Sequence, residues 1–526
     1  MNLSESHYYP PMADGAPLLA CYNSSESLDS LENQRPAATT IDGTLERYVD
    51  GNCRSSQLLQ AIFVSLAWAF DAQQTFISVF TDAEPAWHCT AATCPSFGST
   101  PCGLPPGSWA WDFPADASVM SEWSLQCAGS AVVGLPASAY FAGCLIGGLL
   151  LSTLADTVLG RKTMLFFSCF TMSLSAALTA VSPNLWAYAA MRFLCGCGRA
   201  TVGTSSLVLS TEMVGKRWRE KVSISSFFCF TLGFLSLPAL AYLNRGASWR
   251  TLYLWTSIPC FFYSVLIYFW INESPRWLLV RGRRDEAIQA LKRMAAANDR
   301  NNAITSSFSK LIVEENASDI GVFSAMKMLW EKRWALRRLL ATMIVGFGLG
   351  LLYYGMPLNV GNLGSDLYLS VTFNALAELP SSLITLFLIG RVNRRSTTVA
   401  FATASGAFSF LCVAVTAEPW QMAAELASFF SACTAFGFLL IYCIELFPTC
   451  VRNSAIAMLR QAVVLGGVLA PMLVAEGRKR SFISFGVFGV VVCSCGMFVA
   501  CLPETRGRSM CDTMEEEESK QMMNAS

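Results

Sequence analysis

About twelve stretches of this chain are apolar for long enough to cross a lipid bilayer. They begin near Leu58, Ser130, Met164, Leu185, Val222, Thr251, Leu340, Asp366, Thr398, Met422, Ala455 and Phe482. A spanning helix needs about 20 mostly apolar residues. In lipid no water satisfies an exposed backbone, so separate segments cross only as helices. The expected class is therefore an all-α membrane protein. The rival, a large soluble helical core, would not supply so many runs of this length. It would also need more polar surface: only 14% of residues are charged and 53% are hydrophobic, whereas soluble domains carry about 25% charged residues. A mean hydropathy of +0.43 agrees. The formal net charge is zero, so no nucleic-acid partner is expected.

Orientation follows from Lys and Arg, which favour the cytosolic side. The loop from Thr81 to Ala128 contains neither, nor do the loops near Ser182, Asn359 and Glu418. The alternate loops are basic: "GRK" (160–162), "GKRWREK" (215–221), "GRVNRR" (390–395) and the stretch from Ser274 to Arg338. Both termini are expected in the cytosol. One loop dissents, because "GRKRS" (477–481) places three cations on the outer side. Residues 1–53 are rich in Ser, Asp, Glu and Pro, carry no secretory signal pattern and read as a cytosolic disordered tail. The expected organisation is that tail, a six-helix half over 54–272, a cytosolic linker with surface helices over 273–338, a second six-helix half over 339–502, and a cytosolic tail over 503–526. The acidic run "MEEEESK" (514–520) reads as solvated.

The two halves repeat a device. Glu212 closes the fourth run and Arg219 follows seven residues later; Glu445 closes the tenth and Arg452 follows at the same spacing. Corresponding features in both halves are a repeat signature of carriers that work by alternating access. Cytosolic ion pairs between the halves are the expected inner gate, breaking when it opens.

Several blocks resemble the major facilitator superfamily, and specifically its organic cation/carnitine transporter family. They are "SPRWLLVRGR" (274–283), "ELFPTCVRN" (445–453), "LPETRGR" (502–508) and "MRFLCGCG" (191–198). "LADTVLGRK" (154–162) is similar to the superfamily's loop between helices two and three. It departs by Thr157 in place of a basic residue and by one extra residue before Gly160. The resemblance brings Asp156 and Arg161 into the gate. "DAQQTFI" (71–77) and the short outer loop look closest to the plant members. The resemblance implies a secondary or facilitative carrier of small organic cations or carnitine, coupled to H+ or Na+, acting as a monomer. A transport-dead sensor on the same scaffold, or a carrier of sugars or organic anions, is the alternative.

Charges inside a bilayer are costly and tend to be functional. Asp71 lies in the first run, Arg192 in the fourth, Glu378 in the eighth and Arg460 in the eleventh. A quaternary ammonium calls for a carboxylate and an aromatic cage. Glu378 is the first choice for the carboxylate, with Tyr353, Tyr354 and Trp68 as the cage. A zwitterion also needs a cation for its carboxylate, which Arg460 or Arg192 supplies. The plainer readings are interhelical hydrogen bonding for Glu378, pairing with a Gln or Arg for Asp71, a structural role for Arg192, and ordinary packing for the aromatics. In the family, the charged position sorting cations from anions falls at Val464 here, one turn from Arg460.

Cys89, Cys94, Cys102 and Cys127 in the first outer loop suggest two disulfides in one of three connectivities. A zinc site is the rival, with no matching spacing. The sequons at Asn23, Asn272 and Asn316 fall on the cytosolic side and read as chance matches. "DGAPLL" (Asp14, Leu18, Leu19) fits an acidic dileucine address for the vacuolar membrane, with the plasma membrane as alternative. No nucleotide-phosphate loop is present, since Ser210 stands where its glycine belongs. The chain has only His7 and His88, so no metal, cofactor or enzymatic activity is expected.

Overall fold

The computed structural model describes residues 55–90, 101–105, 107–154, 159–294, 322–388, 390–415, 417–478, 481–507 and 511–525. Asp14, Leu18, Leu19, Cys94 and Asp156 lie outside the described residues.

Among the described residues, twelve spans follow one another. They are α1 (Ser55–Ser65, Ala67–Phe76 and Ser78–Thr81), α2 (Ser130–Leu154), α3 (Arg161–Thr179), α4 (Leu185–Arg199 continued by Val202–Glu212), α5 (Lys216–Leu243) and α6 (Trp249–Trp270). The second six are α7 (Arg333–Asn359), α8 (Leu367–Leu388), α9 (Arg394–Ala414), α10 (Glu418–Leu446), α11 (Thr449–Gly477) and α12 (Ser481–Met497). Among the described residues, nine helices are long and apolar enough to cross a membrane on those two grounds alone. The other three spans are α1, α3 and α4. α1 and α4 are interrupted, and all three carry polar side chains that face neighbouring helices.

The bundle is inside-out compared with a soluble protein. Large apolar residues such as Leu150, Leu243, Phe262 and Phe269 are exposed on its rim, while Arg192, Asn374, Glu425 and many serines are buried within. The halves meet where α2 packs on α11 and α5 on α8.

Small residues bring backbones together inside each half. Gly143 of α2 and Gly196 of α4 face each other; a methyl on either would stand 2.0 Å from a carbonyl oxygen of the other helix. That contact holds Tyr140 against Arg192.

The cytosolic side shows the repeat most clearly. Glu273, just past α6, accepts from the first backbone amides of α3, Arg161 N at 2.9 Å and Lys162 N at 3.0 Å. Glu504, just past α12, does the same for α9, taking Arg394 N at 2.9 Å and Arg395 N at 3.2 Å. A carboxylate at a helix N-terminus satisfies donors that no intrahelical partner can. Gly160 makes room for the first of these. Its φ is +79°, and an added Cβ would lie 2.5 Å from Glu273 Oε2.

The linker carries short helices at Pro275–Val280, Arg284–Met294 and Val322–Glu331. α7 starts at Arg333, inside the interval assigned to the linker by sequence. The acidic run is not a solvated tail. It forms a helix, Met514–Ala525, docked on the second half. Glu517 meets Arg338 at 2.8 Å and Glu518 meets Lys332 at 2.6 Å. Cys511 and Met514 are buried beneath it.

On the outer side, strands Trp87–Cys89 and Trp109–Trp111 pair antiparallel. Cys102 and Cys127 form a disulfide, and Cys89 is also disulfide-bonded. Glu122 ties this loop to α6 through Trp249 and Arg250. Partial burial would raise its carboxyl, but those hydrogen bonds outweigh it and hold Glu122 below the usual carboxylate range.

Candidate translocation site

In the first half Asp71 and Arg199 neutralise one another. Asp71 of α1 accepts from Arg199 Nε at 2.5 Å and from Thr75 Oγ1, one turn on, at 3.2 Å. The side chains of Arg199 and Asp71 are 12% and 4% exposed, so this is a buried pair. Sequence reasoning foresaw a partner for Asp71 and did not single out Arg199. The available signal was its place seven residues after Arg192, two helical turns along one face of α4.

Arg192 is fully buried. It donates to the Gln74 carbonyl at 3.2 Å and to Ser78 Oγ at 3.1 Å. Its guanidinium lies 4.2 Å from the Tyr140 ring centre and 5.8 Å from that of Tyr253. These contacts enclose it among α1, α2 and α6. Trp68 is half-buried, against Phe227 and Phe230 of α5. The structure therefore does not bring Arg192 and Trp68 together with the tyrosines of α7.

The second half differs. Glu378 of α8 accepts from Tyr353 Oη at 2.7 Å, and its Oε2 has no hydrogen-bond partner among the described residues. The Tyr353 ring is surrounded by Tyr354 at 5.1 Å, Phe429 at 5.8 Å, Phe436 at 5.9 Å and, from the first half, Phe76 at 6.4 Å. Tyr354 meets Phe141 of α2 at 4.5 Å, again across the halves. Glu378, Tyr353 and Tyr354 thus form one aromatic-walled group at the junction. Arg460 of α11 faces Tyr354 and Arg199. Its guanidinium makes no hydrogen bond or ion pair among the described residues.

A second acid in this half was missed. Glu425 of α10 is 1% exposed and takes one hydrogen bond, from Asn374 Nδ2 at 3.1 Å. The sequence signal was a lone acid inside the tenth apolar run.

At the outer mouth a cavity of about 630 Å³ opens between the halves, lined by Asp82, Glu84, Trp87, Gly134, Asn362 and Arg478. Arg478, from the dissenting basic loop, reaches across it. It donates to the Asp82 carbonyl at 3.0 Å and approaches Met120 Sδ at 3.1 Å. The outer cation is thus a contact between the halves. Glu84 keeps contact with solvent, but the mouth walls around it raise its carboxyl above the usual range, opposed by Arg478.

At the cytosolic end of the second half, Glu445 finds its partners within that half. Glu445 pairs with Arg394 at 3.1 Å and accepts from Thr505 Oγ1 at 2.6 Å. Arg452 Nε donates to the Phe447 carbonyl at 3.3 Å. Glu212 closes α4, with Arg161 opening α3 and Arg219 in the first turn of α5.

Comparison with known proteins agrees with this architecture. Residues 110–516 match the family model described as "Sugar (and other) transporter". Organic cation/carnitine transporter 3 of Arabidopsis thaliana is 54% identical over 97% of this chain and 98% of its own length. Organic cation/carnitine transporter 2 of the same plant is 56% identical over 91% and 94%. Among solved structures, the inward-open xylose transporter XylE of E. coli superposes with a TM-score of 0.61 at 17% identity, covering 88% of this chain and 98% of that one. Twelve spans in two halves, a charged group at their junction and these relatives lead to one conclusion: the chain is a membrane transporter of the major facilitator superfamily and belongs to its plant organic cation/carnitine transporter family.

Proposed function

We propose that this carrier moves a small organic cation, and in particular a zwitterion of the carnitine class, by alternating access coupled to a proton. The observation that carries this reading is the contrast between Glu378 and Arg460. Glu378 has a neutral partner, a free oxygen and aromatic walls. A carboxylate so enclosed needs a cation or a proton, and tyrosine and phenylalanine faces favour a quaternary ammonium. Asp71 and Arg199 already satisfy each other and Arg192 is enclosed by Gln74, Ser78 and Tyr140, which leaves Arg460, without an ion pair among the described residues, to meet a substrate carboxylate. The names of the Arabidopsis relatives support the same class.

The experiment is radiolabelled uptake into proteoliposomes, with and without a pH or Na+ gradient. Glu378→Gln abolishes uptake of both carnitine and tetraethylammonium while the protein remains in the membrane. Arg460→Gln abolishes carnitine uptake and spares tetraethylammonium. Full uptake by the first variant removes Glu378 from the site. Equal loss of both substrates in the second removes the zwitterion reading. A Na+ gradient that substitutes for the pH gradient overturns proton coupling.

Three further properties belong to this proposal. Each six-helix half moves as a body, closed on the cytosolic side by the clusters around Glu445 and Arg161. The carrier acts as a monomer. It resides in the vacuolar membrane through Asp14, Leu18 and Leu19: a fluorescent fusion is expected to leave that membrane when both leucines become alanine, and unchanged residence refutes the address.

A further inference from the structure

Glu425 is more enclosed than any other acid described within the spans, yet no cation pairs with it among the described residues. It lies seven residues, about 10 Å, in from the outer end of α10 at Glu418. Asn374 approaches from α8. The titratable groups turned toward it are thiols, Cys412 from α9 and Cys433 from α10 itself. The hydroxyls of Ser405, Ser409 and Ser428 are bonded to one another. An ionised carboxylate with a single hydrogen bond in such a place is strongly disfavoured.

Asn374 has a complementary deficit. Its Nδ2 donates to Glu425, but its Oδ1 is buried with no donor among the described residues. An ionised carboxylate offers only acceptors and cannot help. A carboxylic acid carries one O–H donor and keeps an acceptor. An acid and an amide then form a closed pair, with N–H to the acid's carbonyl and O–H to the amide's oxygen. One proton removes both the stranded charge and the orphan acceptor.

From this we infer that Glu425 holds a proton in this conformation, and that the Glu425–Asn374 pair is the carrier's proton-binding site. The inference rests on the proton-coupled reading above. Its link to substrate is α8. Asn374 and Glu378 are four residues apart, on one face of that helix. Pro380 follows at once and interrupts the hydrogen-bond ladder there. A shift of α8 around substrate at Glu378 therefore draws the amide away from Glu425. The cycle balances simply. The Glu425 carboxylate takes a proton from water on one side, forming its O–H bond. After the shift that bond breaks and the proton passes to water on the other side, with nothing oxidised or reduced.

The test uses the full chain in proteoliposomes and three readouts. Glu425→Gln mimics the neutral acid and can still pair with Asn374. Exchange of carnitine at equal pH is expected within about twofold of the parent, while accumulation driven by a pH gradient falls at least about tenfold. The infrared band of a protonated carboxyl, present at neutral pH in the parent, disappears in Glu425→Gln and persists in Glu378→Gln. Asn374→Ala keeps the acid but removes its amide, and moves the pH midpoint of driven uptake. Undiminished accumulation in Glu425→Gln, an unchanged infrared band, or an unmoved midpoint in Asn374→Ala overturns the inference. Because the infrared band is independent of flux, a parent protein that moves no carnitine yet shows the Glu425 band refutes the substrate reading and leaves the proton on Glu425.

Discussion

The two halves share a backbone plan and treat charge in opposite ways. In the first, Asp71 and Arg199 form a buried pair and Arg192 is packed between tyrosine rings. In the second, Glu378 and Glu425 have only neutral partners, Tyr353 and Asn374. A pair that is satisfied within one half is a wall: it resists change and fixes the helices around it. A carboxyl with a neutral partner is a vacancy for a cation or proton. On the proposed reading, this asymmetry gives binding to the second half and support to the first.

Breaking the wall has the largest expected effect. Asp71→Asn strands Arg199 in the membrane interior, and removing one member of a buried pair costs about 3–5 kcal/mol. A large fall in the melting temperature of the purified protein is expected. The double variant Asp71→Asn with Arg199→Gln should recover much of it. No recovery would mean that the two residues act separately, and the contrast between halves would lose its first term.

The outer mouth gives a smaller effect. Arg478 joins the halves there, so Arg478→Gln should raise labelling of a cysteine introduced at Ala137, in the cavity wall, by a few-fold as measured with an impermeant thiol reagent. Equal labelling would show that the Arg478 contact does not hold the mouth.

The smallest effect is a pH dependence. Glu84 is raised above its ordinary value, so the folded protein binds this proton more readily than the unfolded chain does. Its contribution to stability is therefore full at acid pH and is lost as pH rises through the raised value. Ionised Glu84 faces Arg478; neutral Glu84 does not hold it electrostatically. Labelling at the mouth should thus increase on acidification, beginning above the usual carboxylate range, and Glu84→Gln should flatten that rise. A parent profile without the rise would separate Glu84 from the closing contact.

Much of the frame was legible because lipid makes one demand everywhere. The twelve apolar starts lie close to the twelve helices, including α1, α3 and α4, whose polar faces depress their hydropathy. Asp71 and Glu378 were legible as charges in apolar runs. Glu425 met the same criterion but stands near a helix end, where an acid reads as part of the outer loop. Arg199 was hidden by the glycines of "GCG", which make the helix look finished. The docking of the acidic helix could not be read locally, since Arg338 and Glu517 are 179 residues apart. The start of α7 was obscured by the cations of "RWALRR" (333–338), which sit in its first turns.

The carboxylates that close each half carry a consequence for biogenesis. Glu273 stands three residues beyond the sixth span and bonds back to the third, so the first module can seal itself before the ribosome has made any of the seventh. Its counterpart waits for Glu504, beyond the twelfth span. Assembly of this molecule is thereby divided into two instalments, each clasped by an acid just past its last span.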